Sequence, residues 1–205
     1  VLHFALEPAP GDLADALLAL LGGRFEADWS VNPVWRPPVV LLAAHEVTRG
    51  VRPFSVEDEW YYHLRFSPRV VPVLQAQPTL ATLGQDGPRS GNAAVRAAVA
   101  RGEPQTLAWV HTAAGARTFG FTGGHFHRNW WEMNFRTLVL NALVWTAGIA
   151  VPAAGVASSL DPAPKYATVD EAIARGDLED VRLHVKLRPA AVQGNPDAAL
   201  APLHQ

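Results

Sequence analysis

The stretch Gly123-Gly124-His125-Phe126-His127 constrains this chain most tightly. It follows residues 117–122, an apolar run with β-branched and aromatic side chains, and precedes an amphipathic helix pattern over residues 135–148. Two histidines on a glycine-rich turn between strand and helix occupy the position where α/β proteins bind ligands, just beyond the carboxyl end of a strand. The order of elements predicts an α/β fold.

Function classes can be excluded early. Net charge is -2, which lacks the basic footprint of a nucleic-acid binder. There is no cysteine, so disulfides, thiolate metal sites and a cysteine nucleophile are all absent. No apolar run is long enough to span a bilayer; the longest, residues 138–153, is interrupted by Asn141, Thr146, Gly148 and Pro152. The expectation is a soluble protein with no nucleic-acid or membrane partner. The chain opens on Val1 inside an apolar segment, so its true N-terminus is expected to lie upstream and its compartment is not legible.

Local patterns place the remaining elements. Residues 1–6 read as a buried strand containing His3. Residues 11–21 carry leucines at helical spacing and stop at Gly22-Gly23. Pro33, Pro37 and Pro38 forbid a regular central strand in residues 24–53. Residues 56–66 alternate: Val56, Trp60, Tyr62, Leu64 and Phe66 on one side, with Asp58 the exception, and Glu57, Glu59, Tyr61, His63 and Arg65 on the other. Residues 70–74 form a further strand. Residues 84–92 form a loop, and Asn92 caps a helix over residues 93–101. Residues 107–111 and 117–122 pair around Ala113-Ala114-Gly115. A linker rich in Pro, Ala, Gly and Ser covers residues 151–167. Two short helix patterns, residues 168–175 and 178–187, then flank Gly176-Asp177. With Ala201-Pro202-Leu203-His204 they match the start of an ankyrin repeat. One repeat cannot bury its own face, so further repeats are expected downstream. The expected organisation is a domain over residues 1–150, the linker, and an incomplete ankyrin-type helical hairpin over residues 168–205.

His3, Glu59 and His125 are the candidate catalytic residues. In a largely parallel sheet both histidines would share one edge. Imidazoles and a carboxylate can exchange protons or hold a divalent metal. Tyr61, Tyr62, His127 and Trp130 are candidate substrate-binding residues, and His63 or His127 a further metal ligand. Taken singly, each also has an ordinary structural role: His3 as a satisfied core histidine, His125 and His127 as caps of the following helix, Glu59 as the partner of Arg65. Trp29, Trp35, Trp130 and Trp131, with Asn32 and Asn129, suit the apolar faces of sugar rings or plain loop packing. The loop GQDGPRSGN lacks the spacing of a phosphate-binding motif, and no G-x-S-x-G elbow is present.

Five stretches together resemble the trehalose-utilisation (ThuA-like) family: Leu2-His3-Phe4, residues 56–63 (VEDEWYYH), residues 107–110 (LAWV), residues 121–125 (FTGGH) and residues 135–148 (FRTLVLNALVWTAG). The resemblance covers residues 1–152 and implies a flavodoxin-like three-layer sandwich of the class I glutamine amidotransferase type, whose opening elements would precede Val1. Without them, residues 1–150 alone would leave a strand edge unpaired. His3 then stands where the amidotransferases carry cysteine, so glutaminase activity is not implied. Glu59 with Tyr61 or Tyr62 matches the family's Glu-x-Tyr-Tyr element, and His125 its Gly-His element. The implied ligand is a carbohydrate or an oxidised sugar. Two functions follow as expectations: a sugar-active enzyme using His/Glu or metal chemistry, or a carbohydrate-sensing scaffold that recruits a protein partner through ankyrin repeats.

Overall fold

The computed structural model describes residues 1–38 and 41–160, and the backbone of Val185–Leu187. The chain divides into two compact units: Val1–His45 with Arg52–Phe126, and Glu46–Val51 with His127–Gln205.

The first unit is built on a four-stranded sheet. The described strands of the unit in chain order are β1 (Gly23–Arg24), β2 (Val34–Trp35), β3 (Leu41–Leu42), β4 (Asp58–Glu59), β5 (Arg65–Phe66), β6 (Val71–Ala76), β7 (Gln105–Ala113) and β8 (Ala116–Phe121), of which four make the sheet. The sheet runs β3-β6-β7-β8, and every neighbouring pair is antiparallel. The largely parallel sheet of a flavodoxin-like layout, which the family resemblance implies, is not seen among the described residues. Among the described residues parallel pairing occurs in one place, a bridge from Leu2 to Phe121 at the end of β8. The β7–β8 hairpin turns where expected, through Ala114 (φ 48°) and Gly115 (φ 80°), the paired positive φ values that match the right-handed strand twist.

The two helices of this unit follow their local signals. Helix α1 (Asp12–Leu21) ends at Gly22 in the left-handed conformation. Helix α2 (Ala93–Ala100) is capped by Asn92, whose side chain accepts from the Val95 N–H at 2.9 Å. The core collects Leu6, Phe25, Tyr61, Leu64 and Trp109, with Phe66 and Val70 against it. Trp109 lies flat over two glycines: a Cβ on Gly120 would fall 2.1 Å from its ring, and one on Gly23 2.6 Å.

Two strand expectations need correction. Residues 1–6 do not form a strand beyond the Leu2 bridge; His3–Leu6 is a 3-10 turn entered through His3 at φ 46°. Residues 56–66 do not form one strand. β4 pairs with β2, whereas β5 pairs with β1, so the two ends of the segment bind different partners. Between them the chain bends at His63, φ 56°. The bend breaks the two-residue period, and Trp60, Tyr61 and Tyr62 are all buried.

In the second unit, helix α3 (Met133–Thr146) is capped by Glu132, which accepts from the Phe135 N–H at 2.6 Å. The fully buried Asn141 on this helix donates to the carbonyls of Val47 (2.9 Å) and Arg49 (2.8 Å) and accepts from Val156 N–H (2.7 Å). It thereby staples three segments. Strand β9 (Ser158–Leu160) pairs antiparallel with β10 (Val185–Leu187), where the sequence pattern placed the end of a helix. The rest of the expected ankyrin-type hairpin lies outside the described residues. No helix among the described residues is long and apolar enough to cross a membrane.

Candidate functional site

His3, Glu59 and His125 meet in the first unit. His3 Nε2 lies 3.1 Å from Glu59 Oε2, His125 Nδ1 lies 3.2 Å from the same oxygen, and the two nitrogens are 3.2 Å apart. Three donor atoms thus form a nearly equilateral triangle. Metal–donor bonds of about 2.0–2.2 Å place neighbouring donors about 3–3.5 Å apart, so the triangle has the size of one face of a coordination shell.

Each donor is held by a different local device. His3 follows the Leu2 bridge, and its positive φ, which costs a non-glycine residue about 1 kcal/mol, turns the chain at that point. Its imidazole is buried, and Nδ1 lies 2.7 Å from the Thr122 carbonyl oxygen. A carbonyl only accepts, so Nδ1 carries a proton, and in the neutral tautomer that this fixes the lone pair stands at Nε2. Backbone orientation of a histidine through its other nitrogen is the usual support of a metal-ligating imidazole.

Glu59 lies on β4. Asn32 Nδ2 donates to its Oε1 at 3.0 Å, which aims Oε2 at the histidines. Oε2 is buried and has no hydrogen-bond partner, although both imidazole nitrogens lie within ion-pair distance. An acceptor buried without a donor costs about 1–3 kcal/mol, and a cation shared with the two nitrogens would remove that cost. In its Nδ1–H tautomer, His125 donates to His3 Nε2; in the other tautomer all three donor atoms present lone pairs to one point.

His125 is placed by the glycine turn. A Cβ at Gly123 would stand 2.5 Å from the Trp60 ring, and Gly124 has φ 113°, so each position requires glycine for its own reason. Asp58, fully buried, gathers the turn: Oδ2 accepts from Gly124 N–H (2.8 Å), and Oδ1 from His125 N–H (3.0 Å) and Phe126 N–H (3.2 Å). Oδ1 also accepts from the N–H of Glu59 at 2.9 Å. The His125 side chain is 36% exposed, against 15% for Glu59, so the cluster opens to solvent on the His125 side.

The other sequence candidates divide. Tyr61 joins the cluster, its hydroxyl 3.3 Å from His3 Nε2 and its ring 4.6 Å from the His3 ring. Burial, reinforced by the Glu59 carboxylate, pushes the Tyr61 pKa far above the ordinary range, so its phenol is protonated at neutral pH. Tyr62 points elsewhere: its hydroxyl meets Thr82 Oγ1 at 2.7 Å and its ring packs edge-on against Trp35. His63 does not join; its Nδ1 donates to the Trp29 carbonyl at 3.0 Å and its ring stacks on Trp29. His127 and Trp130 belong to the second unit, where Trp130 packs against Phe135. Arg65 pairs with Glu26 and not with Glu59, while Arg89 of the 84–92 loop pairs with Glu7.

Burial also pushes the Tyr62 pKa above its usual value. Folding therefore favours the protonated phenol. That stabilisation is complete below the unfolded value, about pH 10, and is lost as pH rises through the folded value. Wild type is expected to exceed Tyr62→Phe in denaturant stability by about 1 kcal/mol at pH 8, the worth of one hydrogen bond. The margin should shrink or reverse at pH 11. A margin independent of pH, measured by urea unfolding, contradicts the assignment.

Two supporting residues escaped the sequence patterns. Asp58 left a trace, an acid on the apolar side of an alternating run. Asn32 stands out in the sequence only beside the tryptophans; its bond to Glu59, 27 residues away, left no trace.

A family model described as ThuA, trehalose utilisation, matches residues 1–146. No curated protein and no solved structure gives a match.

Proposed function

The chain belongs to the ThuA, or trehalose-utilisation, family, and from that membership we propose that His3, Glu59 and His125 hold a divalent metal ion in a domain that binds or transforms a carbohydrate or an oxidised sugar. The observation that carries this reading is the triangle of donor atoms, with Glu59 Oε2 buried and without a hydrogen bond at one corner. Two imidazoles and one carboxylate form the donor set of catalytic zinc sites and of non-haem iron sites alike, with positions left open for substrate. When bound, such an ion supplies Lewis acidity toward a carbonyl or hydroxyl oxygen.

The chain's own groups have distinct tasks. Thr122 and Asn32 fix the orientations of His3 and Glu59. The protonated Tyr61 hydroxyl, 3.3 Å from His3 Nε2, is placed to donate to a substrate oxygen. The partly exposed His125 marks the open side through which a sugar ring would approach. A flavodoxin-like layout enters this reading through the family membership alone; the four-stranded sheet is antiparallel, and the one parallel contact among the described residues is the Leu2–Phe121 bridge.

The test is elemental analysis of the chain purified without chelator, followed by calorimetry with trehalose, glucose and their keto forms. One divalent metal per chain, and heat of sugar binding that vanishes after dialysis against chelator, are expected. Metal-free protein that also fails to take up Zn²⁺ or Co²⁺ at micromolar concentration sinks the metal site. Metal without any sugar response removes the ligand class.

A further inference from the structure

We propose that Asp58 is the positioning residue of this site, one buried carboxylate that sets the distance between Glu59 and His125. The inference rests on the metal-binding reading of the His3–Glu59–His125 cluster. Glu59 and His125 are far apart in sequence and come from different kinds of backbone, a two-residue strand and a glycine turn. No ladder of strand hydrogen bonds joins those two segments; β4 pairs with β2. Asp58 joins them instead. Its Oδ1 accepts from the Glu59 N–H at 2.9 Å and from the His125 N–H at 3.0 Å, so one oxygen binds the backbones of two donor residues. Gly124 and Phe126 complete the cage at 2.8 and 3.2 Å.

The chemistry favours a carboxylate over any neutral side chain. Four N–H groups converge on two oxygens with no donor among them, and hydrogen bonds to a charged acceptor are roughly twice as strong as neutral ones. An asparagine in the same place keeps the shape. It turns an NH₂ group toward at least one N–H, so part of the turn must move away. His125 moves with it, and the donor triangle opens.

The experiment uses the full chain with Zn²⁺ as probe, and its affinity is read by competition with a chromogenic chelator. Asp58→Asn is expected to weaken Zn²⁺ binding about 10–100-fold, the range for loss of a supporting partner. The same substitution in a His125→Ala background should cost less than about 3-fold, because the displaced turn no longer carries a ligand. Equal losses in both backgrounds mean that Asp58 serves the fold in general, and overturn the proposal; so does an unchanged affinity in the single variant. Should Asp58→Asn fail to fold, Gly124→Ala tests the same link. Its Cβ would meet nothing closer than His3 Cβ at 4.0 Å, yet φ 113° strains any residue other than glycine there. Full Zn²⁺ affinity in a folded Gly124→Ala chain overturns the proposal. Wild-type protein that binds no Zn²⁺ removes the metal reading and this inference together, whereas binding that survives Asp58→Asn removes the inference alone.

Discussion

Glu59→Gln is expected to abolish metal binding while leaving the metal-free protein as stable as wild type or more so. The substitution keeps the side-chain length and an oxygen for Asn32, whose Nδ2 sits 3.0 Å from Oε1. It replaces Oε2, a buried acceptor with no hydrogen-bond partner and the two imidazoles at ion-pair distance, with an NH₂ group facing His3 Nε2 and His125 Nδ1. A donor there can satisfy an imidazole lone pair, and relief of a buried unpartnered acceptor is worth about 1–3 kcal/mol. For the metal the change has the opposite sign. The cluster loses its one negative ligand, and the loss in affinity should exceed the roughly 10–100-fold that removal of a supporting partner produces. Zn²⁺ titration and thermal melting in chelator together decide the matter. A variant that keeps its metal, or one that melts well below wild type without metal, contradicts the assignment of Glu59 as a ligand held ready in the folded chain.

Trp109→Ala is expected to remove most of the stability of the first unit. The ring is fully buried. It rests on the bare backbone of Gly23 and Gly120, meets Phe66 edge-on at 5.1 Å, and donates its Nε1–H to the Leu21 carbonyl at 2.8 Å. Both supporting residues are glycines, so neither has a side chain of its own to fill the cavity. Truncation of a buried aromatic residue costs about 3–5 kcal/mol, and the stranded Leu21 carbonyl adds about 1 kcal/mol or more. Small domains hold only about 5–15 kcal/mol in total. The expected result in urea is a large fall in midpoint, or a chain unfolded before denaturant is added. A loss under about 1 kcal/mol would mean that the surrounding segments collapse into the space and that the glycines are not rigid supports.

Features that depend on neighbours along the chain were legible in the sequence. Gly22 ends α1, Asn92 caps α2, and Ala114-Gly115 turns the β7–β8 hairpin, each where residue type and spacing placed it. These are interactions over a few residues, and backbone sterics with one or two hydrogen bonds decide them. The strand pattern over residues 56–66 misled for the same reason. Alternation reports which side chains face a common core only while the backbone stays extended, and His63 bends it. The resemblance to the trehalose-utilisation family was also legible, as short motifs in a fixed order, and the match over residues 1–146 establishes membership.

The sequence, read with the family resemblance, pointed to His3, Glu59 and His125 and placed the glycine turn that carries His125, but not the 3-10 turn of His3 or the short strand of Glu59. Only the tertiary structure decided that they share one point in space, that Tyr61 joins them and Tyr62 does not, and that Asp58 ties two of them together. The contact between His3 and His125 spans 122 residues. No propensity or period reaches that far, because closing such a loop is decided by the summed packing of the sheet and core in between. The Gly-Gly-His turn illustrates both sides. Its glycines announce a tight bend to any reader of the chain, but why each must be glycine appears only once the Trp60 ring stands against Gly123 and Asp58 stands beneath the turn.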